Sequence, residues 1–141
     1  MPTPVTKERV AEALDALGVK VQLDDDGDVV GRWQNVLIMF VVQDMFFQLV
    51  GQPPALDANV DPGSAAEFCA SVNEELLWPC MSATVLDMDG TQATLVRSSY
   101  AIPTEAGLTD SQLAQMLATG IKATNAAFGR YSQLLVKGED A

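Results

Sequence analysis

The sequence predicts a single α+β domain over residues 1–141, and three observations carry that expectation. Three segments repeat apolar residues at helical spacing, and a Val-, Ile-, Phe- and Met-rich stretch between the first two is broken at short intervals by polar residues. Two further apolar runs flank an Asp-Gly pair. The predicted order is a helix, an antiparallel strand meander, a helix, a β-hairpin and a long helix.

The first helix is predicted from about Thr6 to Leu17, with Val10, Leu14 and Leu17 on one face. Thr3 or Thr6 is placed to cap it and Gly18 to end it. Breaks at Asp24 to Gly27, Gln34-Asn35 and Gln43-Asp44 then divide the following segment into three or four short strands. Val36 to Val42 and Met45 to Val50 are almost wholly apolar, which predicts strands covered on both faces. "GQPPALDANVDPG" reads as an exposed connection, because its prolines interrupt any ladder.

A second helix is expected to start at Ser64, where Glu67 completes a capping box, with Phe68, Val72 and Leu76 at four-residue intervals and Pro79 as its stop. Residues 82 to 88 and 91 to 102 form the hairpin about Asp89-Gly90. The third helix opens on Thr109 and Gln112, again a capping box. It sets Leu113, Leu117, Ile121, Thr124, Phe128, Tyr131 and Leu135 along one stripe. The polar ends, residues 1–4 and 137–141, are expected to be mobile.

The densest charge is "LDDDGDVV" at 23 to 30, with a near echo in "LDMDGTQATL" at 86 to 95. Both resemble a calcium loop, in which alternate oxygens and a closing bidentate glutamate surround the ion. With Gly27 at the sixth position, Asp24 and Asp26 fit, but Gln22 takes the first ligand position and Trp33 the last. Around Gly90 those two positions hold Val85 and Val96. Asp-Gly needs only backbone that tolerates positive φ, so both stretches are expected to be turns. A two-residue loop at the first would set Asp25 opposite Asp28, two like charges, so a longer loop is expected there.

Composition excludes several functions. Nineteen acids stand against eight bases, a net charge of −11, which disfavours nucleic acid and anionic membranes as partners. The longest apolar runs fall far short of the ~20 residues that span a bilayer. A cytoplasmic protein is expected. The chain contains no histidine, which removes Ser-His-Asp and Cys-His catalysis and most zinc sites. Cys69 and Cys80 form no CxxC pair and read as reduced, packed thiols. Neither GxGxxG nor GxxxxGK[ST] occurs, so no nucleotide site is indicated. No catalytic, metal or cofactor-binding residues are assigned, and no cofactor is expected.

The element order, with "SVNEELLWPC" at 71 to 80, "LDMDGTQATL" at 86 to 95 and "EAGLTDSQLAQML" at 105 to 117, resembles the YbjN family. The resemblance runs from about Val10 to Phe128. Its most telling pieces are Val72-Asn73, Trp78-Pro79, the Asp-Gly hairpin, and Gly107-Leu108-Thr109 leading into Gln112-Leu113. Glu74-Glu75 and Cys80-Met81 depart from the family pattern. The resemblance implies bacterial sensory transduction regulators with a fold similar to type III secretion chaperones, which bind other proteins, typically as dimers.

Together these readings predict a non-enzymatic protein-binding module, regulatory or chaperone-like, with a protein partner and a homodimer as candidate assemblies. Candidate surfaces are the apolar strands 36 to 50 and the long third helix, and candidate contacts are the large aromatics Trp33, Phe40, Phe46, Trp78, Phe128 and Tyr131, each of which also suits a core. The alternative is a sensory module holding a small molecule between sheet and helices, and last an Asp/Glu enzyme in which Glu74-Glu75 and Asp24 to Asp26 pair as acid and base. An exposed apolar patch points to the protein binder, and a ligand-sized pocket with convergent polar groups to the sensor.

Overall fold

Helix α1 spans Lys7–Ala16, followed by strands β1 (Val21–Leu23), β2 (Val29–Arg32), β3 (Leu37–Val42) and β4 (Phe46–Gln52). Helix α2 is Pro62–Glu75, strands β5 and β6 are Cys80–Met88 and Thr91–Pro103, and helix α3 is Asp110–Asp140. This computed structural model describes residues 2–54, 60–75 and 79–140, without the side chains of Met88 and of residues 133–140. The predicted α+β order holds.

The six strands form one antiparallel sheet in the order β1-β2-β3-β4-β6-β5. Thr6 caps α1 by accepting from the Arg9 N–H. At the other end Gly18, at φ 80°, allows the Gly18 and Val19 N–H groups to bond the Asp15 and Leu14 carbonyls, which closes the helix. The capping box of α3 is also present: the Gln112 N–H donates to Thr109 Oγ1, and Gln112 Oε1 accepts from the Thr109 N–H.

The start of α2 differs from expectation. Asp61 caps it, accepting from the Ser64 N–H and Ser64 hydroxyl, and Pro62 takes the first helical position. A missing N–H costs nothing there and the fixed proline φ suits the helix, so Asp-Pro outcompetes Ser64 as the start.

The β1–β2 turn is a five-residue loop, since Leu23 pairs with Val29. Asp24 Oδ1 accepts from the N–H groups of Asp26 and Asp28, and Gly27 sits at φ 81°. At the β5–β6 hairpin Asp89 and Gly90 lie at φ 54° and 87°, the positive pair a tight two-residue turn demands.

All three helices pack on the same side of the sheet. Val10 and Leu14 of α1, Ala65, Cys69 and Val72 of α2, and Leu113, Leu117, Thr124, Phe128 and Tyr131 of α3 are buried. They meet Val29, Ile38, Phe40, Phe47, Leu49, Val96, Tyr100 and Ile102 from the strands. Helices α2 and α3 also touch each other, with the Phe68 and Tyr131 rings 5.5 Å apart and Arg130 paired with Glu75. The closest seat is at two glycines: a Cβ on Gly51 of β4 would meet Ser98 and Thr124, and one on Gly120 of α3 would meet Leu49.

Thr3 and Pro4, in the segment expected to be mobile, make contacts with the body of the fold. Thr3 bridges Leu108, and the Arg9 guanidinium donates to the carbonyls of Thr3, Pro4 and Leu108 while pairing with Asp110. At the other end the helical backbone of α3 runs to Asp140.

Candidate functional site: an open apolar sheet face

Burial alternates along β4 and along β3 up to Val41, each fully buried residue followed by a half-buried one; Val42 at the end of β3 is half-buried as well. Side chains along a strand alternate between faces, so one face of each strand is covered and the other is not. This corrects the expectation of cover on both sides. The cause is composition: both faces are apolar, and an uncovered apolar face reads in sequence like a buried one.

The register maps the open face. Val30, Met39, Val50, Ser99 and Cys80 form one cross-strand row. Arg32, Leu37 and Gln52 lie in the next, and since Gly51 pairs with Ser98, Gln52 lies beside Arg97, which pairs with Ser82. On the other side of the first row stand Val41, Gln48 and Ala101, then Phe46 opposite Pro103. Val30, Leu37, Met39, Val41, Phe46 and Val50 are all half-buried. Among the described residues no helix lies over them.

The strand positions of this face carry charge of one sign. No strand position on it carries an acid, in a chain with nineteen, while Arg32 and Arg97 are exposed there. Neither arginine has an ion-pair partner among the described residues, whereas Lys7, Arg9 and Arg130 pair with Asp28, Asp110 and Glu75. Gln48 and Ser99 satisfy each other through a 2.9 Å hydrogen bond.

A groove of about 850 Å³ crosses the β1 end of the face, lined by Val30, Arg32, Leu37, Met39 and Gln52 together with Asp15 and Val19 to Asp24. Two smaller depressions lie elsewhere, about 270 Å³ between α1 and α3 and about 450 Å³ beside the chain start. None of these three lies between sheet and helices, where a small-molecule sensor was expected to hold its ligand.

The aromatic candidates separate. Phe40 and Phe128 are fully buried and Tyr131 nearly so, which places them in the packing beneath the helices instead of at a surface. Trp33 is half-buried with its ring against Gly31, on the helix side. Of the five that are described, Phe46 alone lies on the open face; Trp78 lies outside the described residues. Met39 and Val50 fall within the strands 36 to 50 that the sequence singled out, whereas Val30 and the two arginines were missed. The alternation of Val30-Gly31-Arg32 was the available signal.

Cys69 is buried and Cys80 exposed, so only the first is the packed thiol expected of both. Burial pushes the Cys69 thiol above its ordinary range. Asp24, Asp26 and Asp28 bring carboxylate oxygens within 4.8 Å of one another. Asp24 Oδ1 already serves the turn's N–H groups and Asp28 faces Lys7 at 3.6 Å, so the cluster does the work of a turn. Glu74 and Glu75 are exposed on α2.

The family described as "Putative bacterial sensory transduction regulator", YbjN, matches residues 6–130. The chain belongs to the YbjN family. The fold is similar to that of YbjN from E. coli, described as a putative transcription regulator, at 11% identity and a TM-score of 0.77, covering 96% of this chain and 97% of that one. An uncharacterized protein from Methanothermobacter thermautotrophicus shares it at 13% identity and a TM-score of 0.58, covering 94% and 98%. A looser likeness, TM-score 0.49 at 12% identity over 89% of this chain and 99% of that one, is to a chain of the HopA1-SchA chaperone-effector complex. No curated protein matches the sequence. No helix among the described residues is long and apolar enough to cross a membrane.

Proposed function

We propose that this YbjN-family chain works without covalent chemistry, as a cytoplasmic regulatory or chaperone-like module that binds another protein on its open sheet face. The observation that carries the reading is the one-sided packing: three helices share one face, and the other presents Val30, Met39, Val41, Phe46 and Val50 half-exposed in adjacent rows. A contiguous apolar surface without cover is the feature that separates an interaction site from scattered surface leucines. The family description and the E. coli relative, both named as regulators, support the regulatory half. The lack of histidine and the placing of the densest carboxylates on an exposed turn support a role outside catalysis.

A second reading, a small-molecule sensor, has the 850 Å³ groove in its favour, since ligand sites span roughly 300–1,000 Å³. Its walls carry Asp15, Lys20, Asp24 and Arg32 at an open edge, unlike the mostly apolar lining of such sites.

The test is a photo-crosslinking amino acid placed at Met39, at Val50 and, as a control on the helix side, at Lys122. The expected result is a discrete adduct with the same protein from the two sheet positions and none from Lys122. Adducts from all three positions alike, or from Lys122 alone, would remove the open face as the binding surface.

A further inference from the structure

From the charge pattern of the open face, and resting on the reading of that face as a binding surface, we infer the chemistry of the partner: an amphipathic α-helix whose apolar stripe is bordered by carboxylates. Two arguments lead there. The first concerns the backbone. The interior of a sheet face offers no free N–H or C=O groups, so an extended segment laid across it would leave its own backbone unpaired. A helix satisfies its backbone internally and brings only side chains.

The second is charge complementarity. Arg32 and Arg97 lie in one cross-strand row with Leu37 and Gln52 between them, three strand spacings apart, or about 14 Å. The neighbouring row is Val30, Met39 and Val50. A helix lying along these rows sets its apolar stripe on the second and one flank over the first. Same-flank positions on a helix recur seven and eleven residues apart, about 10 and 16 Å along its axis. Flexible Arg and Glu side chains close the remaining distance, so carboxylates at either spacing reach both guanidinium groups. A second copy presenting this same face brings two more arginines and no carboxylate from its strands, its acids being confined to the turns at the strand ends. This preference runs against the net charge of −11, which on its own would draw basic partners. The local pattern and the global charge therefore make opposite forecasts.

The experiment is a selection from a displayed library of random peptides of about 16 residues, roughly 24 Å as a helix, on the intact chain. The recovered peptides are then measured by fluorescence anisotropy against wild type, R32E/R97E, the neutral R32Q/R97Q, and Met39→Asp, each checked for folding by circular dichroism. The expected peptides carry an apolar stripe at helical spacing and two acids seven or eleven residues apart. They bind both arginine variants about tenfold or more weakly, R32E/R97E worst, and weaken further as salt rises. Peptides with basic borders, or peptides that lose affinity for Met39→Asp but not for the arginine variants, overturn the acidic helix while leaving the face as the binding surface. An empty selection, or peptides indifferent to Met39→Asp, overturns the face itself and this inference with it. Light scattering on the same samples at about 0.1 M salt, where exposed charges still act over about 10 Å, closes the remaining case: a dimer there that Met39→Asp dissociates makes a second copy the occupant and overturns the acidic helix.

Discussion

Alanine at Gly51 is expected to unseat α3 from the sheet. Built on the present backbone, the added Cβ would stand 2.5 Å from Ser98 Oγ, 2.7 Å from Thr124 Cγ2 and 3.1 Å from the Phe128 ring. Ser98, Thr124 and Phe128 are fully buried, so none can turn outward to make room. Overpacking of this kind costs about 1–3 kcal/mol. Three contacts this short on fully buried groups take the upper half of that range, about 2–3 kcal/mol; alanine also restricts the unfolded chain, which returns about 0.4–1 kcal/mol, leaving a net loss of about 1–2.5 kcal/mol. For a domain of this size that lowers Tm by roughly 3–8 °C. Urea unfolding followed by tryptophan fluorescence measures it. Ser98→Ala is the companion variant: its Oγ is buried with no hydrogen-bond partner, so its removal is expected to be close to neutral or stabilising. In the double variant it should give back about 0.5 kcal/mol or more of the Gly51→Ala loss. A Gly51→Ala chain as stable as wild type, or strict additivity with Ser98→Ala, would refute the close seat of α3 on β4.

Neighbouring strand residues should respond very differently. Phe40→Ala, fully buried, is expected to cost about 3–5 kcal/mol, and Met39→Ala on the open face about 1 kcal/mol or less. Equal losses in urea unfolding would mean that both faces are covered. Asn73 donates to the Met81 carbonyl and accepts from its N–H, tying α2 to β5, so Asn73→Ala should cost about 1–3 kcal/mol. Its hydrogen exchange should rise first at the start of β5, and an increase spread evenly over the chain would contradict that tie. Thiol labelling at neutral pH should modify exposed Cys80 quickly and Cys69 only on unfolding. Because burial raises the Cys69 pKa, its contribution to stability is complete at neutral pH and is lost as pH climbs above the ordinary thiol range; a Cys69→Ala chain should lack that alkaline decline.

Most of the fold was legible because its signals are local. The Thr109–Gln112 box, the Gly18 stop and the Asp89-Gly90 turn each depend on a few adjacent residues, and each has the predicted geometry. The site was less legible. Whether Val36 to Val42 is covered on one face or two depends on where α1, α2 and α3 land, which no window of β3 records. Met45 illustrates the same limit: it read as strand interior, yet it sits in the β3–β4 turn, 61% exposed. The clamp of Arg9 on Leu108 and Asp110 joins residues about a hundred positions apart and left no local trace. A purely chemical search also favoured aromatics, whereas the open face is built from Val, Met and Phe46 with arginines at one border.

An uncovered apolar face needs protection from its own copies, and the distribution of acids supplies it. The face itself has none, but the turns at the ends of its strands carry Asp24, Asp25, Asp26 and Asp28, then Asp44, Asp89 and Glu105. Two chains approaching face to face with like strand ends together bring these acidic turns toward one another. Repulsion among exposed charges reaches about 10 Å at 0.1 M ionic strength and about 3 Å at 1 M. Salt should therefore unmask self-association that the acidic turns suppress. Light scattering at fixed protein concentration is expected to show the mass rising between low and molar sodium chloride, with Met39→Asp abolishing the rise. A mass that stays constant would show that the acidic turns are not what keeps the copies apart, and a rise unaffected by Met39→Asp would place the contact elsewhere than on the open face.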